Sequence, residues 1–124
     1  MFAYGHTGAG KSFTVFGDPK KEIPGILSFV TEHILARLQL QQEWLMTCQF
    51  VEIYNETIRD LMINPGEPSP EIVIREDKGR TILCGAREIT LDEKMLAEGE
   101  TFSIDEVIAS GMRNRSVSST NANA

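Results

Sequence analysis

The chain has 124 residues, of which 41% are hydrophobic and 24% charged, a composition typical of one soluble globular domain. Its formal net charge of −6 argues against binding to nucleic acid or to an acidic membrane surface through bulk charge. No apolar run approaches the length of a membrane span, and the N-terminal residues do not resemble a signal peptide. Cys48 and Cys84 have no metal-ligand partners at short spacing, which indicates reduced, buried thiols in a cytoplasmic protein.

The first motif in the chain is a glycine-rich stretch that ends in a lysine and a serine. It reads Gly5-His6-Thr7-Gly8-Ala9-Gly10-Lys11-Ser12 and fits the pattern G-x-x-x-x-G-K-[ST]. Because glycine lacks a Cβ atom, such a loop can adopt positive φ and bring its backbone amides close to a phosphate. Lys11 would contact the β- and γ-phosphates of a nucleotide, and the Ser12 hydroxyl would bind Mg²⁺.

The surroundings of this motif decide between a phosphate site and a glycine-rich turn that binds nothing. A phosphate loop needs a strand before it and a helix after it. Residues 2–4 are predicted to end a strand. A helix is predicted over residues 11–16, where its N-terminal amides would face the phosphate. The context therefore favours phosphate binding, although the motif by itself does not identify the reaction.

A polar loop separates this helix from the next one. Gly17-Asp18-Pro19 is predicted to end the first helix, and Pro24-Gly25 to close the loop. Apolar residues then recur at helical spacing over residues 26–41, which predicts an amphipathic helix packed against a sheet. The residues of this apolar stripe are Ile26, Leu27, Val30, Ile34, Leu35 and Leu38.

The middle of the chain is predicted to contain a strand followed by a short helix. Residues 44–54 are the best strand candidate, and Asn55 is predicted to cap a helix over residues 56–62. The carboxylates here are interpreted as a solvated face with ion pairs to Arg59, in preference to acid–base catalysis. These carboxylates are Glu52, Glu56 and Asp60.

A proline-rich loop and a β-hairpin are predicted next. Residues 64–70 contain three prolines and form the loop. Residues 72–75 and 81–84 are predicted to pair as a hairpin around a turn at residues 76–79.

The last part of the chain is predicted to contain a strand, a loop and a long helix. The strand is expected over residues 86–91 and an irregular acidic surface loop over residues 92–99. Ser103-Ile104-Asp105-Glu106 fits a capping box, so a helix should begin there. The residues expected to face inward from this helix are Ile104, Val107, Ile108 and Met112.

Three stretches occur in the order, and at about the spacing, of one protein family. They read FAYGHTGAGKS over residues 2–12, FVEIYNETIRDL over residues 50–61 and GMRNRSVSSTNAN over residues 111–123. Together they resemble the kinesin motor domain. Many NTPases share the phosphate loop, whereas the second stretch is close to a family signature and the third strengthens it.

The resemblance implies an α/β fold: part of a P-loop NTPase-type central, mostly parallel sheet with flanking helices and a small β-hairpin. It covers residues 1–124 and implies a partial motor domain that lacks the N-terminal strands, most of switch I, switch II and the main tubulin-binding helix. His6 stands where the family usually has glutamine. Ser12 stands where threonine is commoner, and serine keeps the hydroxyl that binds magnesium.

The resemblance also implies ATP and Mg²⁺ as cofactors. Phe13 falls where family members place a side chain against adenine, but simple packing under the loop is an equally good interpretation. No catalytic residue is assigned, and Ser12 is the implied metal ligand. The implied nucleotide-binding residues are Gly5, His6, Thr7, Gly8, Ala9, Gly10, Lys11, Ser12 and Phe13.

The function implied by the resemblance is the ATP-binding portion of a microtubule-based motor associated with the cytoplasmic cytoskeleton. The implied partner is the microtubule, which the complete motor domain would contact. Neither nucleic acid nor a membrane is an implied partner. The oligomeric state is not indicated. Arg75, Lys78 and Arg80 are either edge contacts to tubulin or, more simply, a solvated turn.

Because the switch motifs that sense γ-phosphate are not in the sequence, the chain by itself is expected to hydrolyse ATP poorly or not at all. One alternative is a kinesin-derived module that binds nucleotide or tubulin without turnover. Another is a different P-loop NTPase, against which residues 52–61 argue.

Overall fold

A computed structural model of the protein describes residues 2–6 and 8–122. The chain divides into two compact units, Met1–Leu45 with Leu91–Ala109, and Met46–Thr90 with Ser110–Ala124. The helices are α1 (Lys11–Phe16), α2 (Ile26–Leu38), α3 (Glu93–Ala97) and α4 (Ile104–Ala122), with a 3₁₀ turn at Pro19–Lys21. The strands are β1 (Gly17–Asp18), β2 (Ile23–Pro24), β3 (Leu45–Cys48), β4 (Val51–Tyr54), β5 (Thr57–Asp60), β6 (Val73–Asp77), β7 (Arg80–Cys84) and β8 (Ile89–Asp92).

The mixture of helices and strands fits the α/β class. In the part of the chain that the structure describes, the strands form two-stranded sheets, which pair β1 with β2, β3 with β8, β4 with β5 and β6 with β7. Residues 2–4 carry no strand, so that prediction is wrong; Phe2 and Tyr4 are 97% and 95% exposed, and no described strand offers them a hydrogen-bonded edge. None of the described helices is long and apolar enough to cross a membrane.

In the first unit, two glycines bring the end of α1 close to the start of α2. The predicted helix over residues 11–16 is confirmed, and it ends at Gly17, where φ is 72°. β1 and β2 then pair antiparallel, with Gly17 opposite Pro24. A Cβ atom on Gly25 would collide with the Gly17 amide nitrogen and the Val15 carbonyl oxygen. Glycine is therefore required at this crossing because the two backbones are in contact.

Helix α2 forms as predicted but buries a different face. Ser28 and Thr31 are its buried residues; the Ser28 hydroxyl donates to the Asp105 carboxylate at 2.8 Å, and the Thr31 hydroxyl donates to the Leu27 carbonyl at 2.8 Å. These bonds satisfy the buried hydroxyls. Much of the apolar stripe is exposed, which corrects the prediction that it packs against a sheet. Its exposed members are Ile26, Val30 and Ile34, beside an exposed Phe29.

Capping residues define the last two helices. Residues 92–99 contain α3, which corrects the predicted irregular loop, because the Asp92 carboxylate accepts from the Met95 amide at 2.8 Å and caps the helix. The predicted cap of α4 is confirmed by the Ser103 hydroxyl, which accepts from the Glu106 amide at 3.3 Å. Val107 and Ile108 are buried on this helix, as expected.

In the second unit, a tight hairpin replaces the short helix predicted over residues 56–62. β4 and β5 pair antiparallel, with Val51 opposite Asp60 and Tyr54 opposite Thr57. Asn55 and Glu56 form the turn with φ of 48° and 61°. Two consecutive residues at positive φ give a turn whose twist matches that of the paired strands. Asn55 therefore serves as a turn residue rather than as a helix cap.

The long strand predicted over residues 44–54 is interrupted between β3 and β4. At the break, the Gln49 side-chain amide donates to the carbonyls of Leu83 at 3.2 Å and Ala86 at 3.4 Å. The predicted strand over residues 86–91 is observed slightly later, as β8.

The β6–β7 hairpin confirms the prediction over residues 72–84. Val73 lies opposite Cys84 and Asp77 opposite Arg80, with Lys78 and Gly79 in the turn at φ of 49° and 77°. The hairpin is longer than predicted because the turn uses two residues instead of four. The loop predicted over residues 64–70 is also confirmed.

The carboxylates near β4 and β5 have structural partners. The Glu52 carboxylate lies 2.8 Å from the Arg59 guanidinium, as predicted, and 3.0 Å from that of Arg115. Asp60 is buried rather than solvated, and it accepts hydrogen bonds from the backbone amides of Met62 at 2.9 Å and Arg87 at 2.6 Å. These contacts favour a structural role over acid–base catalysis.

Both cysteines are free thiols, as predicted, and both are half-buried. Burial raises the pKa of the Cys48 thiol, which favours its protonated form.

Close packing fixes the second unit around α4. Leu61 and Ile72 are buried, and the buried Asn114 side chain donates to the Leu61 carbonyl at 2.7 Å. Gly111 lies against the Phe50 ring, so that a Cβ atom at position 111 would overlap the ring. The helix therefore tolerates glycine here despite its low helix propensity.

Replacing Gly111 by alanine should destabilise the protein although alanine is the better helix former. The expected loss is about 1–3 kcal/mol in the free energy of unfolding, typical of overpacking, and denaturant unfolding measures it. Ser110→Ala on the same helix is the control and should change stability by less than about 0.5–1 kcal/mol. A Gly111→Ala variant more stable than wild type would contradict the described packing.

Candidate phosphate-binding site

The glycine-rich loop has the backbone conformation that its sequence predicts. Gly5, Gly8 and Gly10 have φ of 153°, 85° and 93°, values that other residues rarely adopt. No described atom lies within 4 Å of a Cβ built on Gly8 or Gly10, so conformation rather than crowding requires glycine there. Thr7, one of the predicted binding residues, lies outside the described residues.

Two hydrogen bonds close the loop on itself. The Ala9 amide donates to the His6 carbonyl at 3.1 Å, which forms a turn within the loop. The Lys11 ammonium donates to the Gly5 carbonyl at 2.6 Å, which joins the end of the loop to its beginning. An ammonium group carries three donors, so Lys11 can hold this carbonyl and still donate to an anion.

The start of α1 supplies backbone donors directly after the loop. Gly10 takes the cap position in the left-handed conformation and makes no side-chain capping bond. The first bond into the helix runs from the Thr14 amide to the Gly10 carbonyl at 2.9 Å. The amides of Lys11, Ser12 and Phe13 precede that bond, and helix geometry gives them no carbonyl partner within α1. Such amides are suited to bind phosphate oxygens.

The side chains at the start of α1 match the chemistry of a nucleotide with its metal. Lys11 places a positive charge at the loop, and Ser12 is exposed. Mg²⁺ in nucleotide sites commonly takes one or two protein ligands and completes its shell with phosphate oxygens and water. The Ser12 hydroxyl fits that arrangement. Among the described residues, no cluster of three or more His, Cys, Asp or Glu side chains forms a separate metal site.

The structure gathers most of the predicted binding residues into one short segment. Phe13 follows the loop and is 55% exposed. This exposure is compatible with both predicted roles of Phe13, contact with adenine and packing under the loop. The cations interpreted either as edge contacts to tubulin or as a solvated turn lie on the β6–β7 hairpin and are exposed. These cations are Arg75, Lys78 and Arg80.

Sequence reasoning missed two features of this segment. It did not foresee that the Gly5 carbonyl accepts from Lys11, nor that Gly17 and Gly25 form a backbone crossing after α1. The signal available for the backbone crossing was the presence of one glycine at the end of α1, Gly17, and another directly before α2, Gly25.

Comparison with known proteins places the whole chain in one group. The family model described as "Kinesin motor domain" matches residues 1–124. Kinesin-like protein KIN-8A of Arabidopsis thaliana is 33% identical over 129 residues, which is 99% of this chain and 16% of that protein. Kinesin-like protein KIP3 of Saccharomyces cerevisiae is 42% identical over 80 residues, which is 62% of this chain and 10% of that protein.

A third relative is also a kinesin-like protein that matches nearly the whole chain. Kinesin-like protein KIN-7M, chloroplastic, of Arabidopsis thaliana is 35% identical over 125 residues, which is 99% of this chain and 11% of that protein. The chain thus spans 10–16% of the length of these three relatives.

Replacing Gly10 by alanine should weaken MgATP binding by about tenfold or more, a loss of about 1.4 kcal/mol in binding free energy. A Cβ atom disfavours the left-handed conformation by about 1–2 kcal/mol, so the backbone would relax and turn the following amides away from the phosphates. Isothermal titration with MgATP measures the change.

Gly79→Ala is the matched control because Gly79 also has positive φ, in the β6–β7 turn. It should lower stability to a similar extent and leave MgATP affinity unchanged. Equal affinities for wild type and Gly10→Ala would contradict the role given to the loop backbone.

Proposed function

The chain belongs to the kinesin motor domain family, and we propose that it is the ATP-binding portion of a motor that couples ATP hydrolysis to movement along microtubules. The observation that carries this proposal is the closed loop over residues 5–10 with Lys11 and Ser12 at its end. It lies within a chain that matches the family model over residues 1–124.

The binding roles follow from the donors in the loop. The backbone amides at the start of α1 would hold the β- and γ-phosphates, with Lys11 supplying charge and Ser12 contributing one ligand to Mg²⁺. In this family of reactions, Mg²⁺ neutralises charge that develops on the transferred phosphoryl group. Five of the other predicted residues shape the loop: His6 and Ala9 through the turn bond, and Gly5, Gly8 and Gly10 through their conformation.

The finer description of the fold is also part of this proposal. The chain is part of a P-loop NTPase-type central, mostly parallel sheet with flanking helices and a small β-hairpin, the last being β6 and β7. The exposed apolar side chains of α2 and those of Phe2 and Tyr4 support this proposal, because clustered apolar side chains at a protein surface often mark a contact with another part of the protein or with a partner. The chain is then a partial motor domain over residues 1–124.

The microtubule is the proposed partner, and the microtubule cytoskeleton the proposed location. The exposed cations of the β6–β7 hairpin suit the acidic surface of tubulin at the edge of the contact area, whereas the formal charge of −6 gives no support to nucleic acid or membranes. The words "chloroplastic" and "mitochondrial" in the names of several relatives belong to those proteins.

A non-hydrolysing binding module is the second candidate function. The two candidates share the nucleotide site and differ in turnover.

Lys11→Ala should weaken ATP binding by about tenfold to a hundredfold, since a hydrogen bond to a charged group contributes about 1.5–3 kcal/mol. Titration of a fluorescent ATP analogue with Mg²⁺ present would measure it. Lys20→Ala removes an exposed lysine outside the loop and should bind the analogue as wild type does. If Lys11→Ala and wild type bound equally well, the nucleotide site would lie elsewhere.

The isolated chain should show no microtubule-stimulated ATP turnover, because no residue assigned in it orients the attacking water. A coupled phosphate-release assay with and without taxol-stabilised microtubules measures this, with Lys11→Ala as the background. Stimulated turnover that Lys11→Ala abolishes would show that the chain suffices for hydrolysis and would reject the non-hydrolysing alternative.

A further inference from the structure

One hydroxyl-bearing residue in the whole sequence is followed directly by proline, and it lies in the loop between β5 and β6. That residue is Ser69, within Pro68-Ser69-Pro70. A proline favours the extended region of backbone conformation for the residue before it, and the ring of Pro68 fixes its own φ at a value that the extended polyproline II conformation uses. The sequence therefore presets an extended backbone around this serine.

The first half of the loop is anchored. The Glu67 amide donates to the Asn64 carbonyl at 3.1 Å around Gly66, whose φ is 88°. The Glu67 carboxylate accepts from the Arg87 guanidinium at 2.8 Å and from the Asn64 side chain at 3.0 Å. Arg87 also donates to the Met62 carbonyl at 3.3 Å. The side-chain hydrogen bonds from Arg87 and Asn64 lower the pKa of Glu67.

The second half of the loop projects from these anchors. Residues 68–71 are exposed, and Ile72 beyond them is buried. The Ser69 hydroxyl has no hydrogen-bond partner among the described residues. The result is a short, solvent-facing segment between the anchored Glu67 and the buried Ile72, with the Ser69 hydroxyl accessible and a sequence that favours an extended backbone.

We propose that Ser69 is a phosphorylation site for a proline-directed serine kinase. In the reaction, the Ser69 oxygen forms a bond to the γ-phosphorus of ATP while the bond from that phosphorus to the bridging oxygen breaks. ADP leaves, and the hydroxyl proton passes to the catalytic base of the kinase. The phosphoryl group adds about −1.5 to −2 charges at pH 7 beside Glu67 and Glu71, so it raises the electrostatic free energy of an already acidic loop. This inference is independent of the proposed nucleotide site.

The test is a labelling reaction on the full 124-residue chain. Wild type, Ser69→Ala, Pro70→Ala and Thr101→Ala would each be incubated with a cyclin-dependent kinase and MgATP, followed by intact mass and peptide fragmentation. Thr101 is an exposed control that proline does not follow. We expect one phosphate on wild type and on Thr101→Ala, and none on Ser69→Ala. The initial rate of labelling of Pro70→Ala should be at least about tenfold lower than that of wild type, the size of effect that one pocket contact provides.

A peptide spanning residues 62–74 would test the presentation of the serine by the fold. If the loop already holds the extended conformation, the chain and the peptide should be labelled at initial rates within about tenfold of each other. Labelling that persists in Ser69→Ala, equal rates for Pro70→Ala and wild type, or labelling of the peptide but not of the chain would each overturn the proposal.

Discussion

The glycine-rich loop is closed by the bond between the Lys11 ammonium and the Gly5 carbonyl. Gly5, Gly8 and Gly10 turn the backbone of this loop through conformations that a Cβ atom disfavours. Once closed, the loop brings the amides at the start of α1 and the lysine charge to one place. Without the closure, the same residues would be a polar segment with scattered donors, and the nucleotide binding proposed for the chain would not follow.

The crossing of the Gly17 and Gly25 backbones lies at the opposite end of α1 from that loop. It stops α1 after six residues and redirects the chain into α2, so the helix that follows the phosphate loop is short and fixed at its far end. α2 itself is held through Ser28 and its bond to Asp105. A polar contact of this kind fixes position more than it contributes stability, because each buried hydroxyl must first lose its water.

The second unit rests on different constraints. Its hairpins turn on pairs of residues at positive φ, Asn55 with Glu56 and Lys78 with Gly79, and its helix segment lies against Phe50 through Gly111. Glu52 and Asp60, which in isolation could suggest acid–base chemistry, are occupied by arginines and backbone amides. The contacts described in this unit are therefore structural, and Ser69 and the hairpin cations lie at its surface.

The sequence by itself determined the positive-φ conformation of the glycine-rich loop, the helix after it, the β6–β7 hairpin and the cap at Ser103. Each of these depends on neighbouring residues and local backbone preferences. The tertiary structure decided the rest. Residues 56–62 were predicted as helix, but residues 57–60 form strand β5, since pairing with β4 outweighs local propensity. The buried side of α2 is polar because Asp105, distant in sequence, offers its carboxylate to Ser28. Such partners are far apart in the chain, and no local pattern records which of them will meet.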